Sequence, residues 1–438
     1  MEKAYKRSRV MYIIEAALEY LISIFFANEL LPELTKSLGI SDGVTGIISA
    51  IISLGCVFQL VSILIRNERA KPIVLAFSIA NQILFMLLYL IPLFGGSRVA
   101  KIVIFVIGIL LAYLLYYIVH PKKINWFMSL VDDNKRGKFT SKKEIISLIS
   151  GMGFSFLMSW IISYFNEKGK VETAFIIFAS TIFVLMIAHS LTMIFSVEKK
   201  QEVSEKKQGI GEIFSTFRNK GVILVAVVFV LWNIATNSTK PFLGTYMLNT
   251  LGLAPWFRIG FLPAVSAVAR IIASVILGIY ADKKSFSKMV SICFGIAGAS
   301  FLAITLCSPE LGESNGYIMF TIHYILYGIA MGGINSSLIN LCYDYAPVGK
   351  RVGALAVTQA ISGVIGFSTA TVFGLLVDKI QKNGNSIFGI SIYAQQVVSI
   401  IGILFSVLAM LYVLIFLVLK KKKATVKLAN EKSEKIEK

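Results

Sequence analysis

Long apolar runs recur along the whole of this 438-residue chain, and they constrain its fold more than any other feature. Each run of about 20 residues is long enough to cross the hydrocarbon core of a bilayer as a helix. The composition agrees, because 56% of the residues are hydrophobic and only 15% are charged, whereas water-soluble globular proteins carry more charge. Backbone polar groups in lipid must be hydrogen-bonded within their own segment, so we predict an all-α membrane protein.

The runs predict twelve transmembrane helices in two six-helix bundles. The predicted spans are residues 10–32, 44–65, 72–94, 101–131, 141–165, 171–195, 222–248, 258–281, 288–308, 317–345, 353–378 and 391–419. The longest polar stretch between spans, residues 196–221, is predicted to be a cytoplasmic linker. The other predicted units are an N-terminal bundle at 1–195, a C-terminal bundle at 222–419 and a basic cytoplasmic tail at 420–438.

Basic residues are distributed unevenly over the predicted loops. If the N-terminus is cytoplasmic, 31 of the 43 Lys and Arg residues lie on the cytoplasmic side, 8 lie outside and 4 lie within spans. This asymmetry predicts that both termini are cytoplasmic in a multi-pass protein of the cell membrane. The formal net charge of +19 therefore reflects topology and does not indicate nucleic-acid binding.

The two predicted bundles show a weak internal repeat. At an offset of 215 residues the aligned pairs are Asn125 with Asn340, Lys135 with Lys350, Arg136 with Arg351, and Gly151 with Gly366. Internal repeats of this kind are common in transporters, whose substrate sites lie between the repeats near the bilayer midplane. The offset predicts pseudo-twofold symmetry between the bundles.

Two loop segments carry a family resemblance. The segment GIYADKKSFSK between spans eight and nine resembles the cytoplasmic loop motif of the major facilitator superfamily, with Gly278, Asp282 and Lys283 at its main positions. The segment NWFMSLVDDNKRGKF after span four, which contains Arg136 and Gly137, is similar to a bacterial branch of that superfamily. The resemblance covers residues 10–420.

The resemblance implies two six-helix bundles that rock around a central cavity lined mostly by spans 1, 4, 7 and 10. It also implies a cytoplasmic gating motif. The residues assigned to it are Gly278, Asp282, Lys283, Arg136, Gly137 and Arg351. Span five lacks the Gly-Pro pattern typical of the proton-driven drug exporters of the family, which disfavours drug export.

The stretch YYIVHPKKINWF in span four carries the most unusual charges of the sequence, Lys122 and Lys123. A charged side chain at the centre of a membrane helix costs about 2.5–3.5 kcal/mol on insertion scales, so these lysines need water, a partner or both. Glu15 and Glu19 in span one share a helix face and lie at a similar depth. We expect either a substrate-binding and proton-relaying cluster or a structural ion pair between spans 1 and 4.

Further polar residues occupy spans 7, 8 and 10. Asn233, Asn237 and Lys240 share one face of span 7, where Lys240 either binds substrate or reaches the outer surface. Arg270 in span 8 must face a carboxylate, carbonyl groups or the substrate. Tyr327 and Asn335 share a face of span 10 and complete the candidate cavity residues. Glu144, near the inner surface, is expected to pair with the basic loops.

These observations favour a secondary active transporter that moves a small anionic or zwitterionic solute by alternating access and is coupled to protons. Its expected partners are the solute, membrane lipids and the coupling proton, and the chain is expected to be a monomer. The alternatives are an exporter of amphipathic drugs or lipids and a non-transporting sensor or assembly factor. No nucleotide-binding loop, hydrolase motif or CxxC pair occurs in the sequence, so we expect no enzyme activity, no cofactor and no metal site.

Overall fold

The computed structural model describes residues 2–27, 29–61, 70–132, 136–199, 219–346, 351–387 and 390–419. Fifteen α-helices and one short strand pair make up these residues. In the first half the helices are α1 Glu2–Ile24, α2 Leu31–Ser37, α3 Asp42–Ser49, α4 Gly55–Val61, α5 Lys71–Leu90, α6 Arg98–Met128, α7 Arg136–Glu167 and α8 Val171–Ile194. In the second half they are α9 Lys220–Thr239, α10 Leu243–Thr245, α11 Leu262–Lys283, α12 Phe286–Thr305, α13 Glu313–Tyr345, α14 Arg351–Lys382 and α15 Ala394–Tyr412.

One short strand pair interrupts the otherwise helical structure. Strand β1, Ser386–Ile387, pairs antiparallel with strand β2, Ile390–Ser391, between α14 and α15. Gly384 and Asn385 both adopt positive φ angles there, of 68° and 55°, which ends the helix and turns the chain. Strands of two residues are too short to leave a periodic pattern in the sequence.

Eleven helical segments of the described residues are long and apolar enough to cross a membrane. Helix α1 is not among them, because its sequence includes Glu2, Lys3, Lys6, Arg7, Arg9, Glu15 and Glu19. It also begins earlier than predicted and ends at Ile24, before turns that lead into α2. Pro32 lies in the first turn of α2, where its missing N–H group is tolerated. The protein is therefore a helical, multi-pass membrane protein, and the count of twelve spans stays a prediction.

Two predicted spans contain breaks in their α-helices. In span 2 a 3₁₀ segment, Ala50–Leu54, separates α3 from α4. In span 7 helix α9 ends at Thr239, and a 3₁₀ turn at Lys240–Phe242 precedes α10. Pro241 lies in that turn and has no N–H group to continue the hydrogen-bond ladder. The break places Lys240 at the bend of the span.

The helix contacts repeat with a period of six predicted spans. Helix α1 packs against α7 and α8, and its counterpart α9 packs against α14 and α15. Helix α5 packs against α6 and α8, while α12 packs against α13 and α15. Between the halves, α3 and α4 contact α14, and α7 contacts α11 and the π-helical turn Trp256–Phe261 that precedes it. These two contacts between the halves are equivalent under the same six-span repeat. Helix α14 corresponds to α7, and α11 corresponds to the span that contains α3 and α4.

The halves meet closely on the side predicted to be extracellular. The carboxylate of Asp378 in α14 accepts hydrogen bonds from Ser41 Oγ at 2.7 Å and from Gly43 N at 2.8 Å, at the N-terminus of α3. Asp42 accepts a hydrogen bond from Asn249 Nδ2 at 2.7 Å. A Cβ atom on Gly43 would lie 2.1 Å from the carbonyl oxygen of Gly374, so this approach of α3 to α14 requires glycine.

We predict that Gly43→Ala destabilises the protein by about 1–3 kcal/mol, because the added methyl group overpacks the α3–α14 contact. Thermal unfolding of the purified protein in detergent should show a lower midpoint. The control is Gly153→Ala, since nothing lies within 4 Å of a Cβ at that helical glycine. An unchanged midpoint for Gly43→Ala, or an equal loss in both variants, would contradict the close contact.

Candidate functional site

Three charged side chains meet between α1 and α6. Glu15 and Glu19 lie one helical turn apart on α1, and the ammonium group of Lys123 reaches both carboxylates. The distance from Lys123 Nζ to Glu15 Oε1 is 2.8 Å, and Nζ also contacts Glu19 Oε2. The side chains of Lys123 and Glu15 are 4% and 0% exposed, whereas that of Glu19 is 20% exposed. The structure therefore brings the predicted acid and base residues into one buried cluster that reaches solvent through Glu19.

His189 of α8 is a fourth member of this cluster, and the sequence analysis missed it. Its Nε2 atom lies 2.9 Å from Glu15 Oε1, and its Nδ1 atom lies 3.1 Å from Gln82 Nε2 of α5. The side chain of His189 is 1% exposed. We name Glu15, Glu19, Lys123 and His189 the buried charge cluster.

The buried charge cluster holds two carboxylates and one ammonium group, so with a neutral imidazole it carries one net negative charge. Isolated buried charge is costly, and one added proton would make the cluster neutral. Ligand atoms of Glu15, Glu19 and His189 lie within 4.8 Å of one another, a spacing that suits a metal ion. The ammonium group of Lys123 contacts both carboxylates, so a metal ion would have to displace it.

Lys122 does not share the environment of Lys123. Adjacent residues on a helix point about 100° apart, so the two lysines of α6 face different directions. Lys122 is only partly buried.

A second polar site is a cavity of about 190 Å³ between α1, α7, α11, α13 and the bend that follows α9. Its charged lining residues are Glu29, Lys240 and Arg270, and its aromatic lining includes Tyr20, His323, Tyr324 and Tyr327. The hydroxyl group of Tyr324 donates to Glu29 Oε1 at 3.1 Å. Lys240 Nζ lies 5.5 Å from the centre of the Tyr327 ring, within the range of a cation–π interaction. We name this space the polar cavity.

Arg270 links the polar cavity to α7. Its Nη2 atom donates to Glu144 Oε1 at 2.7 Å, and the side chains are 33% and 49% exposed. The expected pairing of Glu144 with the basic loops was therefore wrong, because α7 and α11 cross where Glu144 faces span 8. The partial exposure leaves Arg270 accessible to a second anion.

The remaining predicted residues of spans 7 and 10 have other surroundings. Asn237 donates from Nδ2 to the carbonyl oxygen of Asn233 at 3.0 Å, and its Oδ1 atom accepts from Ser53 Oγ at 3.0 Å. This bond joins span 2 to span 7 across the two halves. Asn335 is exposed on α13 and is not part of the lining of the polar cavity. Tyr327 is part of that lining.

Four of the six residues assigned to the gating motif lie outside the residues whose side chains the structure describes. They are Arg136, Gly137, Asp282 and Arg351. Gly278 lies in α11 with nothing within 4 Å of a Cβ built on it. Lys283 ends α11 and is exposed. The gating role of all six residues stays a prediction.

A buried arginine joins the halves beside the polar cavity. Arg258, at the start of predicted span 8, is only 1% exposed. Its guanidinium group donates to Glu33 Oε1 and, at 3.1 Å, to the carbonyl oxygen of Glu29. Glu29 and Glu33 were not predicted as site residues, because their partners, Tyr324 and Arg258, come from the other half of the chain.

Comparison with known proteins identifies the family. Residues 11–371 match the model of the Major Facilitator Superfamily, and the chain belongs to this family of membrane transporters of small solutes. Membership of this family makes the chain a transporter.

Similar solved structures cover nearly the whole chain. The nucleoside transporter NupG is 13% identical with a TM-score of 0.69, over 93% of this chain and 98% of that one. The D-xylose-proton symporter is 13% identical with a TM-score of 0.67, over 93% and 97% of the two chains. A bacterial homologue of the iron transporter ferroportin, in an inward-facing state, is 13% identical with a TM-score of 0.69, over 93% and 98%. At these identities the likeness shows the fold alone.

One curated relative is similar over a short segment. The benzoate transport protein of Acinetobacter baylyi (strain ATCC 33305 / BD413 / ADP1) is 28% identical over 124 residues. The match spans 27% of this chain and 25% of that protein.

We predict that Lys123→Met destabilises the protein by about 3–5 kcal/mol, because it strands the buried carboxylate of Glu15. The double variant Glu15→Gln/Lys123→Met should recover most of that stability, and both effects can be measured by thermal unfolding in detergent. Lys122→Met is the matched control, since Lys122 is partly exposed on another face of α6. Equal effects of the two lysine substitutions would refute the ion-pair assignment.

Proposed function

We propose that this protein is a proton-coupled secondary transporter that moves a small anionic or zwitterionic solute across the cell membrane by alternating access. The polar cavity binds the solute, and the buried charge cluster binds the proton. The observation that carries this proposal lies in α1, where Glu19 belongs to the buried charge cluster and the next residue, Tyr20, lines the polar cavity. A movement of α1 that follows protonation therefore reaches the solute site directly.

The proposed architecture is twelve spans in two six-helix bundles with pseudo-twofold symmetry. The period of six spans in the helix contacts supports it. We propose the boundaries 1–195 and 222–419 for the bundles, 196–221 for the linker and 420–438 for the tail. Both termini are proposed to be cytoplasmic, on the asymmetry of 31 to 8 basic residues. A monomer suffices, because the proposed solute site lies within one chain.

The size and charge of the polar cavity support a small anionic or zwitterionic solute. Its volume of about 190 Å³ is below the range of drug-sized pockets, about 300–1,000 Å³. Lys240 and Arg270 contribute positive charge, and Glu29 contributes negative charge. A carboxylate group of the solute would lie between the two cations, and an aromatic or amino group would face the tyrosines and Glu29. Benzoate, the solute of the Acinetobacter relative, belongs to this class.

The closed outer face supports alternating access. Asp378 holds the N-terminus of α3, and Arg258 holds the segment that contains Glu29 and Glu33. Both contacts join the two halves on the side predicted to be extracellular. We propose that these contacts break when the protein opens outward and re-form when it opens inward.

An apolar groove supports the second candidate function, export of amphipathic drugs or lipids. It has a volume of about 630 Å³ and lies along α11 and α13, lined by side chains such as Val268, Ile272, Ile276 and Ile325. A groove of this kind would accept an acyl chain or a flat apolar ring. The polar cavity favours the first proposal, because its charged groups would lack partners around an apolar solute.

We predict that benzoate or phenylalanine stabilises the purified protein against heat, whereas uridine and xylose do not. Lys240→Met should weaken the binding of the stabilising solute about 10–100-fold, because a charge-assisted bond is worth roughly 1.5–3 kcal/mol. Lys168→Met is the control, since Lys168 is exposed at the end of α7. In proteoliposomes, an outside-acidic pH gradient should drive accumulation of that solute.

Three outcomes would contradict the proposed function. Stabilisation by uridine or xylose alone would refute the charge preference, and stabilisation only by a long-chain amphiphile would favour the apolar groove. Uptake that does not respond to the pH gradient would refute proton coupling.

A further inference from the structure

In the orientation that the structure gives to the Gln82 amide, the hydrogen bonds of His189 assign its proton to one ring nitrogen. Gln82 Nε2 is an amide nitrogen and can only donate, so His189 Nδ1, 3.1 Å away, must accept. The Nε2 atom of the imidazole then carries the hydrogen and donates to Glu15 Oε1 at 2.9 Å. His189 is therefore neutral in this arrangement, with one proton fewer than it can hold.

Two oxygen atoms beside this imidazole lack partners within the described part of the chain. They are Gln82 Oε1 and Glu15 Oε2, and the two residues are 3% and 0% exposed. Buried polar atoms are rarely left without a hydrogen bond, because each lost bond costs free energy. A half-turn of the Gln82 amide would place Oε1 against His189 Nδ1. That oxygen could accept a hydrogen bond only if Nδ1 carried a proton.

Protonation of His189 and protonation of Glu15 or Glu19 have different effects on the ion pairs of Lys123. A proton on Glu15 or Glu19 would weaken its ion pair with Lys123. A proton on His189 leaves both ion pairs in place and turns its bond to Glu15 into a charge-assisted one. The titratable groups near the cluster include Tyr12, Glu15 and Glu19 on α1, Tyr116, Tyr117, His120 and Lys123 on α6, and Lys143 on α7.

We propose that His189 is the residue that takes up the coupled proton, and that Gln82 is the positioning residue that switches its amide between the two protonation states. The inference rests on the proposed proton-coupled function. In the uptake step an O–H bond of a hydronium ion breaks, the proton forms the Nδ1–H bond, and a water molecule is left behind. The cluster then changes from one net negative charge to neutral. Release on the opposite side of the membrane reverses the step.

The chain contains three histidines, which makes the proposal directly measurable. Protein labelled with ¹⁵N-histidine in lipid nanodiscs gives the protonation state of each ring nitrogen by NMR. Single substitutions, His120→Gln and His323→Gln, assign the three histidine signals by elimination. We expect His189 to show one bare nitrogen at the alkaline end of the pH range and two protonated nitrogens at the acidic end.

Gln82 variants test the positioning role by the same spectroscopic readout. Gln82→Glu places a carboxylate on Nδ1 and should shift the transition of His189 to higher pH. Gln82→Met removes the acceptor and should shift it to lower pH. The matched control is Gln395→Met, because Gln395 is a buried amide of α15 without a partner for its side-chain atoms in the described residues. That control should leave the transition of His189 unchanged.

The NMR spectra test the roles of His189 and Gln82 separately. A ring that keeps one bare nitrogen over the whole range in folded protein, or two protonated nitrogens throughout, would overturn it. A transition that the Gln82 variants do not move would overturn the role of Gln82. If the pH gradient drives uptake but His189 does not titrate, only this inference fails. If His189 titrates but the gradient has no effect on uptake, the proposed coupling fails instead.

Discussion

The contact of the Lys123 ammonium group with Glu15 and Glu19 is the interaction on which the rest of the proposed function depends. Neither sign of charge is stable alone inside a membrane protein, since each needs a partner or water. Two carboxylates against one ammonium group leave a net charge that one proton can neutralise. Because α1, α5, α6 and α8 all contribute to this environment, a change in protonation acts on the packing of the whole first half.

Helix α1 connects that electrostatic site to the solute site and to the outer face. Glu19 and Tyr20 are adjacent, so α1 contacts the buried charge cluster and the polar cavity one residue apart. The chain beyond its end carries Glu29 into the cavity and Glu33 to Arg258 of the second half. The end of α1 at Ile24 positions Glu29 and Glu33, and the break at Lys240 positions the Lys240 side chain. A continuous helix would direct these side chains elsewhere. The same segment thus joins the residues that we propose for proton binding, solute binding and closure.

The sequence predicted the fold and part of the site, for identifiable reasons. Hydropathy predicts the helical membrane class because the bilayer fixes the length of each span. Glu15, Glu19 and Lys123 were predictable because charges are rare in such spans and their depths match. His189 was not, since it is a single polar residue whose partners come from other helices. Glu29, Arg258 and the approach of Gly43 to Gly374 depend on tertiary contacts that a local pattern does not contain.

The central claim is that neutralising the buried charge cluster releases the closed outer face. The most direct test is a distance measurement between spin labels at Lys36 in α2 and Asn383 just after α14. Both residues are exposed, on the side predicted to be extracellular and in different halves of the chain. The protein should show a longer distance in a larger fraction of molecules at acidic pH, and Glu19→Gln, which removes one negative charge, should show it at neutral pH as well. A distance distribution that changes with neither pH nor Glu19→Gln would contradict the account.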